Sequence, residues 1–243
     1  MLDLSEVARL IREARLKSAT GCHDEALGCV AQVLAPLRDE VAKEGERIRE
    51  ARQLLFSALY TAGLSLYAKA NWQAAMDCFQ ESLQLAQDAN DMRASGAALH
   101  EIAQIMAHLH NFEQAAVIGR GAIRANILAG CETTVAMQGL AIYAILMKDL
   151  DVAEAMLEQV RECCEANGDL IGLGKAFHEM GLAAAEHNHV GATVSYLVKA
   201  LRVKHISGDR KGFRTSRQVL QEFVRCNPDA AHHPLLTNPL EAM

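Results

Sequence analysis

The sequence predicts an all-α fold, an α-solenoid of antiparallel helical hairpins, and three observations predict it. The first is composition. Of 243 residues, 51% are hydrophobic but only 5% aromatic, and four are proline, a balance that suits tightly packed helices and suits strands poorly. The second is self-similarity. The segments NWQAAMDCFQESL (Asn71–Leu83), NFEQAAVIGRGAI (Asn111–Ile123), DLDVAEAMLEQVR (Asp149–Arg161) and HVGATVSYLVKAL (His189–Leu201) place small or apolar residues in matching columns at offsets of 40, 38 and 40 residues, a period that marks a repeat architecture. The third is the stretch ahead of each block: SALYTAGLSLYAKA, AALHEIAQIMAHLH, AMQGLAIYAILMKD and AFHEMGLAAAEHN are apolar at i, i+3, i+4 and i+7, as a buried helix face requires. A solenoid grows by adding units, so one continuous structure over residues 1–226 is expected.

In chain order, the first hairpin spans about 3–37. Asp3 and Glu6 have capping-box spacing, and Ala26, Val30 and Val33 fit the second-helix columns. The run Arg38–Arg52 mixes charges of both signs and reads as a helix extension or a solvated linker. Four further hairpins follow at about 53–88, 93–127, 131–166 and 171–206. The connectors between units, QDANDMRASG, ILAGCETT, EANGDLIGLG and ISGDRKG, carry the turn residues that stop one helix and start the next. Residues 209–226 read as a polar-faced helix covering the last hairpin, the capping that open arrays need. The proline- and histidine-containing segment 227–243 is expected to be a flexible tail.

Within each unit a small residue midway along the first helix is followed by fixed positions in the second. These are Gly63 with Ala75, Phe79 and Ser82; Ala103 with Ala115, Gly119 and Ala122; Ala141 with Ala153, Leu157 and Val160; and Gly181 with Thr193, Leu197 and Ala200. Two helices approach closely only where side chains are small, and a large residue opposite fills the hole. On these columns the chain resembles the tetratricopeptide repeat (TPR) family. Its spacing near 40 is similar to the longer-helix variants of bacterial signalling regulators and cell-polarity adaptors. It departs from the family in lacking the usual Trp and Tyr of the first helix and the proline that ends a unit.

The resemblance implies a right-handed superhelix whose first helices line a concave groove. The groove positions would be Tyr60, Leu64 and Tyr67; His100, Gln104 and His108; Gln138 and Ile142; and His178, Leu182 and Glu186. Such a trough, apolar with a few hydrogen-bonding groups, would take a helix or an extended segment of a partner protein. The chaperone-adaptor ligand, a chain-terminal carboxylate held by Lys and Asn, does not fit Tyr, His and Leu in those columns. The function expected is that of a protein-binding adaptor or scaffold; the alternative is a regulatory sensor module for a short peptide or small ligand.

Other chemistry is argued against. A formal charge of −6 is wrong for phosphate-backbone binding, so nucleic acid is not an expected partner. Basic residues gather only near the C-terminal cap, where Lys204, Arg210, Lys211, Arg214 and Arg217 offer a contact for an acidic segment. His100 and His178 are each followed by Glu, but neither helix has the second His of an H-E-x-x-H zinc site, so no metal and no cofactor is expected. GDLIGLGKA (Gly168–Ala176) lacks phosphate-loop spacing and the Ser or Thr after Lys175. With no nucleophile or paired-carboxylate motif, the chain is not expected to be an enzyme. Seven scattered cysteines read as reduced thiols. No signal-peptide or membrane-spanning stretch is apparent, so a cytoplasmic location is expected, with self-association through exposed apolar surface left open.

Overall fold

The computed structural model describes residues 2–43, 45 and 47–237. Every long element is a helix: α1 Leu4–Ala19, α2 His23–Val41, α3 Ile48–Ala68, α4 Trp72–Asp88, α5 Met92–His108, α6 Phe112–Leu128, α7 Thr134–Leu146, α8 Leu150–Asn167, α9 Leu170–Glu186, α10 Val190–Ile206 and α11 Arg210–Cys226. Within the first unit, Met1–Cys131, each helix from α1 to α6 packs on the next; within the second, each from α7 to α10 does, and α11 lies on α10 and α9.

The helix ends follow from local chemistry. Asp91, Asp169 and Asp209 cap α5, α9 and α11, their carboxylates accepting from Ala94 N at 3.0 Å and from Gly172 N and Gly212 N at 2.9 Å, which satisfies amides the helix leaves unpaired. Asp3 caps α1 by accepting from Ser5 and Glu6 amides, but the capping box is one-sided, because Glu6 turns outward to pair with Arg9 at 2.6 Å. At the carboxyl ends the chain reverses through left-handed residues, glycine at 21, 130, 168 and 208 but Ala70, Asn90, His110, Lys148 and Asn188 elsewhere. At Ala70 (φ 57°) the following amide, Asn71 N, reaches back to Leu66 O at 2.9 Å, a Schellman closure. A β-carbon in this conformation is strained, and Ala70 is exposed. Ala70→Gly is therefore expected to raise stability by about 0.5–1 kcal/mol, read as an upward shift of the urea midpoint at constant slope.

By packing, the chain falls into two compact units, one ending at Cys131 and one beginning at Glu132. The hydrophobic clusters follow the same division: one pair gathers residues between Leu2 and Ile118, another residues between Met137 and Leu236. All sixteen column residues, from Gly63 to Ala200, are buried. Gly63 lies against the Phe79 ring so tightly that a β-carbon would come within 2.6 Å of it, and Gly181 stands in the same relation to Leu197 at 2.8 Å.

In the run 38–52, α2 continues to Val41 and α3 begins at Ile48, so helix reaches into it from both sides and the second hairpin starts before residue 53. The segment after Cys226 is partly helical as far as described. A 3-10 helix, Pro228–His232, and a short turn, Pro234–Thr237, follow α11; Ala230 is fully buried, and Leu235 and Leu236 pack on Val194, Val198 and Leu220. Apolar side chains that can cover the end of α10 and α11 do so. The rest of the expected tail, residues 238–243, lies outside the described residues.

Candidate functional site

In the first unit the expected groove residues of α3 and α5 form two hydrogen-bonded groups. Tyr60 Oη donates to Glu101 Oε1 at 2.8 Å. Tyr67 Oη lies 3.1 Å from Gln104 Oε1 and 2.6 Å from His108 Nε2, and Gln104 Nε2 lies 2.6 Å from His100 Nε2. With the Gln104 carbonyl oxygen facing Tyr67, Tyr67 gives its one proton to Gln104 and the Gln104 amide nitrogen faces His100, while the ring nitrogens of His100 and His108 take the roles their tautomers set. Burial holds the His100 pKa below its ordinary value. It also raises Glu101 and Tyr60 above theirs, the neighbouring Glu101 charge adding to the shift at Tyr60.

Aromatic contacts stiffen this face. His108 stacks on Trp72 of α4 with ring centroids 4.6 Å apart, Tyr67 meets Trp72 edge-on at 5.1 Å, and Phe56 stacks on Tyr60 at 5.7 Å. Leu64 is half-buried beside Met76 and Phe79. Sequence reading missed Glu101, Trp72 and Phe56. Glu101 follows His100 but lies outside the groove columns, and Trp72 belongs to a second helix. The face is rigid, aromatic and partly solvent-reached, with a hydrogen-bond chain whose exposed end is His108.

In the second unit the same columns end differently. Gln138 is 8% exposed and donates to Gly172 O of α9 at 3.1 Å. His178 is 9% exposed, its Nδ1 3.0 Å from Ser216 Oγ of α11. Neither faces an open groove, because α9 and α11 cover them. Ile142 and Leu182 are half-buried, and Glu186 is exposed in an ion pair with Lys148.

Lys204 is corrected too. At 3% exposure it is no surface contact; its Nζ donates to Ser216 Oγ at 2.8 Å. Arg210, Lys211, Arg214 and Arg217 remain exposed on α11. Ser216 thus takes a hydrogen bond from Lys204 and shares another with His178, whose pKa burial and the Lys204 charge push down to about 4. Lys204 itself is lowered by burial. A Lys–Ser–His chain can activate a hydroxyl, but Ser216 is fully buried and no substrate can reach it in this conformation.

Among the described residues no group of three His, Cys, Asp or Glu side chains is placed to hold a metal, and no helix is long and apolar enough to cross a membrane.

By sequence the chain matches no family model and no curated protein. By structure it is similar to the apo form of RapI, with a TM-score of 0.68 over 93% of this chain and 87% of that one at 11% identity. It is equally similar to a variant of the nearly identical TPR-like repeats of a putative kinesin light chain from Podosopora anserina, at 0.68 over 86% and 99% with 14% identity. A third similar structure is Rap protein complexed with Competence and Sporulation Factor, at 0.57 over 95% and 78% with 10% identity. The fold is an all-α, TPR-like solenoid of helical hairpins.

Proposed function

We propose that this chain is a protein-binding adaptor whose recognition face is the α3–α5 surface of the first unit, taking a helix or extended segment of a partner protein. One observation carries the proposal: Tyr67, His100, Gln104 and His108 are joined by hydrogen bonds and by stacking on Trp72, and Tyr60 is held on the same pair of helices by Glu101, with His108 exposed and the others half-buried, so the face is organised before any partner arrives. Preorganised aromatic surface loses little entropy on binding. Of the groove residues expected in the second unit, Gln138 and His178 are buried, and they form no part of this proposal. The sensor alternative draws support from the likeness to a Rap protein solved with its Competence and Sporulation Factor, and it predicts binding of a short free peptide in place of a protein.

The test is affinity capture from a native lysate with wild type beside Tyr67→Phe/His108→Ala, followed by titration of the captured protein in purified form. The double variant is expected to bind at least about tenfold more weakly, a loss of about 1.4 kcal/mol, with unchanged helical content. A partner held equally by both proteins would place the interface elsewhere and end the proposal.

A further inference from the structure

The amino ends of α3 and α5 and the carboxyl ends of α4 and α6 enclose a hollow of about 980 Å3, near the upper end of ordinary ligand pockets. Its wall is apolar, with Phe56, Leu85, Met92 and Leu128. Three arginines, Arg49, Arg52 and Arg93, line it, against one acid, Asp91, in a chain whose formal charge is −6.

These arginines are poorly explained by the fold. Arg49 and Arg93 are each the second residue of a helix, where the macrodipole disfavours a cation by about 0.3–1 kcal/mol. The carbonyl ends of α4 and α6, which would welcome cations, are already closed by backbone amides, Asp91 N on Ala86 O and Cys131 N on Asn126 O, both at 2.8 Å. Among the described residues Arg49 and Arg52 have no hydrogen bond or ion pair, and Arg93 Nε reaches only Cys131 Sγ at 3.2 Å. Asp91 caps α5 through Oδ1 and its charge acts on Arg93, but one carboxylate against three guanidinium groups leaves the lining with an excess of positive charge. Arg49, Arg52 and Phe56 share one face of α3 by their spacing. Phe56 stacks on Tyr60, so the wall of the hollow and the recognition face share this aromatic pair.

We infer that this hollow selects the partner: it receives an acidic stretch of the bound segment, Asp or Glu side chains on the arginines, with a neighbouring aliphatic or aromatic side chain seated on Phe56 and Leu85. The inference rests on the peptide-binding reading of the α3–α5 face. Arginine suits the role because its planar fork binds carboxylate bidentately, and an apolar wall beside it excludes water and strengthens the pairing.

The experiment pans the purified full chain against a random dodecapeptide phage library. Enriched sequences are then made as fluorescein-labelled peptides with amidated C-termini and titrated by anisotropy against wild type, Arg52→Glu and Tyr67→Phe/His108→Ala. Enrichment of Asp or Glu within two positions of Leu, Met or Phe is expected, with affinity falling at least about tenfold on Arg52→Glu and falling again from about 50 to 300 mM NaCl. Peptides without acidic bias that ignore Arg52→Glu yet need Tyr67 and His108 would overturn the hollow and leave the recognition face standing. Peptides that depend on Arg52 alone would support the hollow and overturn the face. Failure to enrich any peptide on wild type would overturn both.

Discussion

Phe79→Ala is expected to lower the stability of the first unit by about 3–5 kcal/mol, the cost of truncating a fully enclosed aromatic side chain. Phe79 has no exposed surface; it lies against Gly63 and meets the Tyr60 ring edge-on at 5.5 Å. Removing the ring empties a hole that the surrounding helices cannot close, because Gly63 on the facing helix has no side chain to offer. It also leaves Tyr60 without the support that holds its hydroxyl on Glu101. The chain's single tryptophan, Trp72, belongs to this unit, so its fluorescence in a urea titration reports the loss directly. A midpoint shift corresponding to less than about 1.5 kcal/mol would mean that the hairpin collapses onto the vacancy, and the Gly63–Phe79 contact would lose its place as the organising contact of the unit.

Ser216→Ala is expected to cost about 2–4 kcal/mol in the second unit, far more than deleting one hydroxyl from a surface. Its Oγ is the acceptor for buried Lys204 and the hydrogen-bond partner of His178, so alanine strands both, and an unpaired buried charge is the expensive kind of vacancy. Lys204→Met makes the contrasting case. It removes the charge and keeps most of the apolar stem, leaving Ser216 with His178 as a neutral pair, and is expected to change stability by less than about 1 kcal/mol in either direction. Thermal melts followed by far-UV circular dichroism distinguish the two. Equal losses in both variants would mean that Lys204 is needed for its charge, through Asp209 and Glu179, and the account of Ser216 as the hinge of the cluster would fail.

Much of this architecture was legible in the residues. The columns headed by Gly63, Ala103, Ala141 and Gly181 recur because each hairpin must solve the same packing problem, and a packing problem solved locally leaves a local, periodic signature. The helix stops were half legible. Gly168 and Gly208 announce left-handed turns, but Ala70, His110 and Lys148 adopt the same conformation without a glycine to mark it, because the Schellman closure and the packing of the next helix impose it. The candidate face was legible as a set of positions, not as a network: spacing places Tyr67, Gln104 and His108 near one another, but nothing in spacing says that Trp72 stacks beneath His108.

By itself, then, the sequence determined the class of element, the hairpin repeat and which residue of each helix faces its partner, since these depend on contacts between neighbours in the chain. Only the tertiary structure decided where packing divides into two units, which groove columns stay open and which basic residue is withdrawn. His178 and Lys204 read as exposed by their positions in α9 and α10, and became buried because α11, a helix outside the repeat pattern, brought Ser216 across to them. The arginines of the hollow are spread over 45 positions, from Arg49 to Arg93, and only the packing of α3 on α4 and of α4 on α5 gathers them around one apolar wall. Contacts between residues distant in the chain have no period, and that is the physical reason sequence could not show them.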